Sequence, residues 1–382
     1  MNLAEVLSPM SPEQFFGEYW EKQPVLIRGT AGRFRGVFDS RDLGALLHTF
    51  RPSADAMLLV KGSKHSELEW LTPNRVPKPD KVRQAWRDGY SIIINDIGAH
   101  WPAAGDLAAA LHEGLHHPVN LNLYLTPAGS QAFVPHFDTM DTIVLQVEGS
   151  KEWQVRAAAS DLPFEDEHFT LIPDRLPPVL LEDTVRDGDV LYIPRGYAHA
   201  ARATDTSSLH LTAGVQVVRW LDLLTAGVRA LRSDSRMRHA LPPGFLNGGA
   251  DAISEAFTKI VAELPARATL DGALGQLAEQ LVVKQIAPRA DNLTSVDEES
   301  ITAETTLVRR SGVICRVIEG DGFAGIQYSG GKIVGPPKIA QAVSRVAALR
   351  RFAVRELAGD LTEKETLVLV RRLVREGVLT IA

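Results

Sequence analysis

The sequence predicts an α+β protein built on a double-stranded β-helix of the cupin (jelly-roll) type, followed by a helical layer and a C-terminal winged-helix-like domain. Three observations predict it. Between Val119 and Gln216, strand-forming runs recur about every ten residues with turn residues between them. From Val217 to Ile286 the apolar spacing changes to the three and four of helices. After Ile301, helical stripes lead to a strand-like run at the C-terminus. The boundaries that follow are 1–217 for the barrel with its N-terminal helices and strands, 218–300 for a helical dimerisation layer, and 301–382 for the winged-helix-like part.

Ser11-Pro12 supplies an N-cap and a proline at the first helical position, which predicts a helix to Lys22 carrying Phe15, Phe16, Tyr19 and Trp20. Pro24–Gly29 reads as a short strand, Ser40–Thr49 as a helix, and Met57–Lys61 and Tyr90–Ile94 as strands. Asp80 is placed to cap a helix that runs to Asp88 and stops at Gly89. Asp106–Gly114 is an amphipathic helix. The barrel strands are expected at Val119–Leu125, Ala132–His136, Thr142–Val147, Lys151–Val155, Val190–Ile193 and Ser208–Gln216, with Ala157–Asp183 as a long loop or insertion. Helices follow at Val217–Ser233, Ala250–Glu263 and Ala268–Ile286. In the last part, Ile339, Ala342, Val343, Val346 and Leu349 form one helical stripe, and Thr362-Glu363-Lys364-Glu365 is a capping box for a helix ended by Gly377.

Composition narrows the function classes. The 382 residues are 45% hydrophobic and 23% charged, as in ordinary globular proteins, and suffice for two or three domains. Met1–Met10 has no basic and apolar leader pattern, and no run approaches the ~18 apolar residues of a membrane-spanning helix. A single cysteine, Cys315, excludes an internal disulfide framework and multi-cysteine metal sites. A cytoplasmic setting is expected. The net charge of −6 divides into +5 for 301–382 and −11 for 1–300. An acidic body favours encounter with a basic partner.

The chemistry concentrates in Pro135-His136-Phe137-Asp138 and in the run from Gly188 to His199. Two residues apart on a strand, His136 and Asp138 would face the same way. His199, after the Pro194-Arg195-Gly196 bend, can complete a set of two imidazoles and a carboxylate that leaves metal positions open. Such a set suits a non-haem Fe(II) oxygenase, and two imidazoles with a carboxylate also bind zinc in hydrolases. Iron activates O2 when 2-oxoglutarate supplies electrons and coordination, and the remote carboxylate then needs a fixed cation. Lys151, sharing a face with Trp153 and Val155, is placed for it. Asn122 and Tyr124 share one strand face; Ser208, His210, Thr212 and Gly214 share another, and a bound cosubstrate would satisfy them. His112, His116 and His117 read as solvated residues of a helix–loop junction.

Asn122-Leu-Tyr124-Leu-Thr-Pro127-Ala-Gly-Ser-Gln, His136-Phe-Asp138, Val147-Glu-Gly149-Ser-Lys151-Glu-Trp153, Tyr192-Ile-Pro194-Arg-Gly196-Tyr-Ala-His199 and Ser208-Leu-His210-Leu-Thr212 resemble the JmjC-type ribosomal oxygenases. Phe15-Phe16-Gly-Glu-Tyr-Trp20-Glu-Lys-Gln-Pro24 is similar to their N-terminal segment. The likeness covers about 1–217 by motif and continues by architecture. It implies a JmjC domain and hydroxylation of an arginine or histidine of a ribosomal protein with Fe(II), 2-oxoglutarate and O2. His136, Asp138 and His199 would be the iron ligands and Lys151 the partner of the 2-oxoglutarate C5 carboxylate. Asn122, Thr212 and His210 would line the cosubstrate pocket, and Tyr124 the substrate side. It also implies a homodimer formed through the helical layer. Lys151 looks like the eukaryotic histidyl hydroxylases, where some bacterial arginyl hydroxylases have arginine, and Gly214 stands where histidyl members can place a serine.

Two rival readings remain on the sequence. A metal-dependent cupin oxygenase or isomerase acting on a small molecule would need no Lys151. A winged-helix nucleic-acid-binding regulator would use the +5 of 301–382, but that excess is small and the arginine pairs there suit solvated helix faces, so direct DNA binding is not expected.

Overall fold

The computed structural model describes residues 1–50, 55–167, 170–246, 250–283 and 298–382. The chain divides into two compact units, Met1–Val217 and Val218–Ala382.

The first unit opens with α1 (Leu3–Leu7), α2 (Pro12–Gln14), β1 (Val25–Ile27), α3 (Asp42–Ala45), β2 (Met57–Lys61), β3 (Lys64–His65), α4 (Pro79–Arg87), β4 (Ser91–Ile94) and α5 (Pro102–Leu115). Then come β5 (Val119–Thr126), β6 (Asp141–Glu148), β7 (Ser150–Ala158), β8 (Val179–Arg186), β9 (Val190–Ile193), β10 (Tyr197–Ala203) and β11 (Ser208–Val215). They form an eight-stranded sheet, β1-β9-β6-β11-β5-β4-β2-β3, and a three-stranded sheet, β10-β7-β8, with antiparallel pairing throughout. This is the expected jelly-roll core.

Strand periodicity places the core. Leu121, Leu123, Leu145, Leu209, Leu211 and Tyr192 point to the outer face of the large sheet, where Phe15, Phe34, Leu107 and Leu111 cover them. On the inner face, Val144, Leu191 and Ile193 meet Trp153, Val155 and Val185 of the small sheet. Because helices cover one face and the second sheet the other, β11 is buried along its whole length, polar residues included.

Several expected elements differ. Ala132–His136 is not a strand: its one ladder contact is an isolated bridge of His136 to His199. Pro135 has no N–H to give a ladder, and residues 131–134 instead hydrogen-bond the β2–β3 turn, whose Gly62 and Ser63 amides donate to Gln131 and Ala132 carbonyls. The expected insertion ends in β8, whose residues alternate weakly because both its faces carry polar side chains. The strand β10 falls where the sequence suggested only the end of a bend. The helix expected over Ser11–Lys22 is α2 followed by one wide turn, Phe15–Tyr19, and the one over Ser40–Thr49 is α3 followed by a wide turn through Phe50. Asp80 lies in the first turn of α4 rather than at its cap, which is Lys78. His112 is buried, its Nδ1 2.6 Å from the His117 carbonyl, and His117 stacks on Trp20. Of the three histidines expected in solvent, only His116 is exposed.

The second unit holds α6 (Trp220–Ala230), α7 (Ala250–Arg267) and α8 (Leu270–Ala278), the last continuing as a wide turn to Val283. Residues 284–286 of the helix expected to Ile286 lie outside the described residues. After it come β12 (Thr306–Arg309), β13 (Cys315–Gly320), β14 (Phe323–Tyr328), β15 (Gly331–Gly335), α9 (Ala340–Ala348), β16 (Arg351–Ala353), α10 (Glu363–Arg375) and β17 (Leu379–Ile381). They form two three-stranded sheets, β16-β12-β17 and the meander β13-β14-β15. The Thr362–Glu365 capping box forms as its sequence dictates, and Gly377 follows α10 at φ +78°. The β13-β14-β15 meander has no counterpart in the expectation.

Candidate metal and cosubstrate site

His136 leaves the irregular segment before β6, Asp138 follows it, and His199 is the third residue of β10. The two histidines exchange backbone hydrogen bonds, His136 N to His199 O at 3.1 Å and His199 N to His136 O at 2.7 Å. A third bond, Gly196 N to Asp138 O at 2.8 Å, ties the turn before β10 to the same segment. Gly196 has φ +83°, and a Cβ there would stand 2.0 Å from the Ser160 carbonyl oxygen. Only glycine makes that turn without displacing its neighbours. Backbone bonds therefore bring together three side chains from distant parts of the sequence.

One ligating atom from each of His136, Asp138 and His199 lies within 4.8 Å of the others. His199 Nε2 is 3.6 Å from Asp138 Oδ2, and the imidazole centroids are 4.5 Å apart. His136 Nδ1 lies 2.9 Å from the Val134 carbonyl and His199 Nδ1 3.0 Å from the Tyr197 carbonyl. A carbonyl only accepts, so each Nδ1 carries a proton, which leaves Nε2 as the ring atom able to ligate a metal. Burial, reinforced by the His136 imidazole, holds the His199 pKa down to about 4 against the opposing pull of Asp138. Two imidazoles and one carboxylate on one side could hold a divalent ion with positions left open.

These residues border a cavity of about 460 Å³, whose lining includes Tyr124, Phe133, Thr142, Lys151, Trp153, Ala201, His210 and Thr212. Lys151 is 2% exposed, and among the described residues it has no ion pair. Burial alone lowers its pKa to about 7. His210 is pushed well below the usual histidine range by burial and then by the Lys151 charge. Its ring stacks on Tyr124 at 4.8 Å, and the Tyr124 centroid is 6.0 Å from Lys151 Nζ. Two further buried atoms, Trp153 Nε1 and His210 Nδ1, lack hydrogen-bond partners. At the Lys151 end of this cavity the buried groups without a protein partner include a cation, an N–H donor and an imidazole, a set that fits an anion.

Thr212 lines the cavity between His210 and the metal-binding set. Asn122 does not line it: its Oδ1 accepts the Asp96 amide at 2.9 Å. Sequence reasoning did not single out Thr142, whose hydroxyl donates to Asp138 Oδ2 at 3.4 Å, or Phe133. Thr142 was legible only as a polar residue on the inward side of β6. Trp153 was placed beside Lys151, but its unpartnered N–H depends on what lies opposite and has no sequence signal.

Fold and site together define a jelly-roll domain built to hold a metal ion next to an anion. Residues 104–223 match the JmjC domain family, so the chain carries a JmjC domain. It is homologous to ribosomal oxygenase 1 of Gallus gallus, with 31% identity over 305 residues, 74% of this chain and 51% of that one. It is likewise homologous to the bifunctional lysine-specific demethylase and histidyl-hydroxylase NO66 of Drosophila willistoni, with 29% identity over 313 residues, 75% of this chain and 40% of that one. The chain thus spans about half or less of the length of these curated relatives. The Escherichia coli ribosomal oxygenase YcfD has the same fold across 98% of both chains, at a TM-score of 0.58 and 17% identity. A further YcfD structure, in complex with cobalt and 2-oxoglutarate, aligns at a TM-score of 0.59 with 16% identity.

Proposed function

We propose that this chain is an Fe(II)- and 2-oxoglutarate-dependent oxygenase that hydroxylates an arginine or histidine side chain of a ribosomal protein. The observation that carries the reading is a buried lysine without an ion pair among the described residues, in the same cavity as two imidazoles and a carboxylate. His136, Asp138 and His199 hold the iron. Lys151 binds the far carboxylate of 2-oxoglutarate, with His210 and Thr212 beside it, while Asn122 supports the wall from behind. The names of the relatives and the cobalt–2-oxoglutarate complex of YcfD support the same chemistry. Iron with 2-oxoglutarate and O2 supplies an oxidant for an unactivated C–H bond and releases succinate and CO2. The protein's own part is to orient the cosubstrate, hold both imidazoles with Nε2 turned to the metal and present one target atom.

The acidic 1–300 region suits a basic protein substrate in the cytoplasm; no helix among the described residues is long and apolar enough to cross a membrane. Residues 218–300 serve as the dimerisation layer, supported by exposed Trp220, Leu221, Leu224 and Val228 on α6. Residues 301–382 form a winged-helix-like domain, supported by α9, α10 and the sheet β16-β12-β17. Its basic excess is small, and three of its cations are ion-paired: Arg355 with Glu304, Arg375 with Glu298, Lys338 with Glu365. An excess of only +5 disfavours a DNA-binding role.

The test is succinate release from 2-oxoglutarate with iron and ascorbate, together with mass spectrometry of ribosomal proteins for one added oxygen. Turnover that survives Lys151→Ala unchanged would point to a small-molecule cupin instead.

A further inference from the structure

Three strands enclose the Lys151 amine. Lys151 and Trp153 lie two apart on β7, both buried, so their side chains share the inward face. His210 of β11 is the cross-strand partner of Tyr124 on β5, and their rings stack at 4.8 Å. Trp153 meets His210 edge to face at 5.8 Å, and Lys151 Nζ is 6.0 Å from the Tyr124 centroid. Among the described residues the amine has no hydrogen bond and no ion pair. The titratable groups that face it carry no charge: burial keeps the His210 imidazole neutral and the Tyr124 phenol protonated. The carboxylate of the cavity, Asp138, sits with His199 and makes no pair with Lys151.

An amine in this position has two ways to shed an uncompensated charge. It can release its proton, as burial drives it to do near pH 7, or it can gain an anion. A neutral amine does both at once when it meets CO2. The Nζ lone pair attacks the carbon and a C–N bond forms. One C=O π bond opens onto its oxygen, and a proton leaves Nζ for water. Amine and CO2 thus give a carbamate anion and a proton, with no change of oxidation state. An exposed lysine stays protonated near neutrality and reacts poorly. A buried carbamate also needs donors. Trp153 Nε1 is a buried donor without a partner, His210 Nδ1 is equally unpartnered, and the Thr212 hydroxyl lines the same cavity with no hydrogen bond among the described residues. The cavity, about 460 Å³, has room for the added group.

We infer that Lys151 is a carbamylation site: dissolved CO2 adds to Nζ, and Trp153 Nε1–H donates to the new carboxylate. The addition itself depends only on the surroundings of this lysine. Its consequence rests on the function proposed above, in which CO2 is released in this same cavity. A carbamate in place of the ammonium repels the far carboxylate of 2-oxoglutarate, so CO2 and cosubstrate exclude one another at Lys151.

The experiment incubates the full chain, loaded with Zn(II), with isotopically labelled bicarbonate at about pH 8, above the lowered Lys151 pKa, and reads carbon NMR. The parent chain should show a carbamate resonance that vanishes on acidification and is missing from both Lys151→Met and Lys151→Arg. The apolar and the cationic replacement back each other up should either fail to fold. Trp153→Phe should raise the bicarbonate concentration for half occupancy about fivefold to tenfold, the scale of one buried hydrogen bond. A parent chain without the resonance, a resonance kept in a folded Lys151 variant, or an unchanged half-occupancy in Trp153→Phe would overturn the inference. Calorimetry with 2-oxoglutarate separates this result from the proposed function. If 2-oxoglutarate binds and no carbamate forms, the inference alone fails; if the carbamate forms and 2-oxoglutarate does not bind, the cosubstrate reading alone fails. Where both bind, 2-oxoglutarate should erase the resonance, and their coexistence would overturn the exclusion.

Discussion

Lys151 sets the terms at the residue scale. A lysine whose pKa is lowered to about 7 by burial binds fewer protons in the folded than in the unfolded chain between about pH 7 and the ordinary lysine value. Stability therefore rises with pH across that window, and below pH 7 the full cost of burying the cation is present. Lys151→Met should stabilise the ligand-free protein by roughly 3–5 kcal/mol below pH 7, with the gain shrinking as pH approaches 10. Thermal melts of both proteins across pH would show it; a gain independent of pH would mean that the lysine is solvated. The same lysine must be protonated to hold a carboxylate, so 2-oxoglutarate affinity should fall up to about tenfold per pH unit above 7. Trp153 makes a companion case. Trp153→Phe keeps the ring and removes an N–H that has no protein partner, so calorimetry should show weaker 2-oxoglutarate binding, by about fivefold to tenfold, with unchanged metal affinity. Lys151 was legible in the sequence because a charged residue opens a strand whose same-face neighbours, Trp153 and Val155, are apolar. The unpartnered atoms of Trp153 and His210 were not, since a missing partner is a property of the space opposite.

At the scale of the element, the turn into β10 holds the site together. Asp141, at the start of β6, is fully buried; its Oδ2 pairs with Arg195 at 2.7 Å and its Oδ1 accepts the Tyr192 hydroxyl at 2.5 Å. Arg195 also pairs with Glu21 at 2.5 Å. The network joins the segment that carries Asp138 to the turn that delivers His199. Burial pushes the Asp141 pKa up, while Tyr192 and Arg195 pull it down. Arg195→Leu removes the cation and leaves the carboxylate buried, which should cost about 3–5 kcal/mol in denaturant unfolding. The double change with Asp141→Leu should recover part of that loss, and a double variant as unstable as the sum of the single ones would argue against a coupled pair. The sequence showed β6, β7, β9 and β11 because alternation or continuous apolar runs mark them. It misled at Ala132–His136, where strand-forming residues lack a ladder partner, and it hid β8 and β10, whose faces do not sort cleanly into apolar and polar. His136 and Asp138 still converge, through a bridge to His199 rather than through the period of a strand.

For the whole molecule, net charge and apolar surface both point to partners. Charge is paired locally in both regions, Arg28 with Asp183 and Arg195 with Asp141 in 1–300 and Arg355 with Glu304 in 301–382, and such pairs leave the net −11 and +5 unchanged. Apolar surface is left over on α6, where Trp220 is 80% and Leu224 65% exposed, with Val228 one turn further along the same stripe. On α7, Phe257 and Val261 repeat the spacing of four. Single exposed apolar residues are ordinary, but a stripe along one helix, as on α6, is a candidate association surface. A second copy of the chain is the partner expected from the proposed dimerisation layer, and a two-fold contact would bury each residue against its own counterpart region. Replacing both Trp220 and Leu224 by glutamate puts like charges on the two sides of such a contact, a repulsion counted twice by symmetry. Sedimentation velocity should then show a dimer for the parent chain and a monomer for the double variant. The circular dichroism spectrum should not change, because neither side chain belongs to a core. A parent chain that sediments as a monomer would remove the homodimer from the proposal and leave the apolar stripes of α6 and α7 for a different protein to cover.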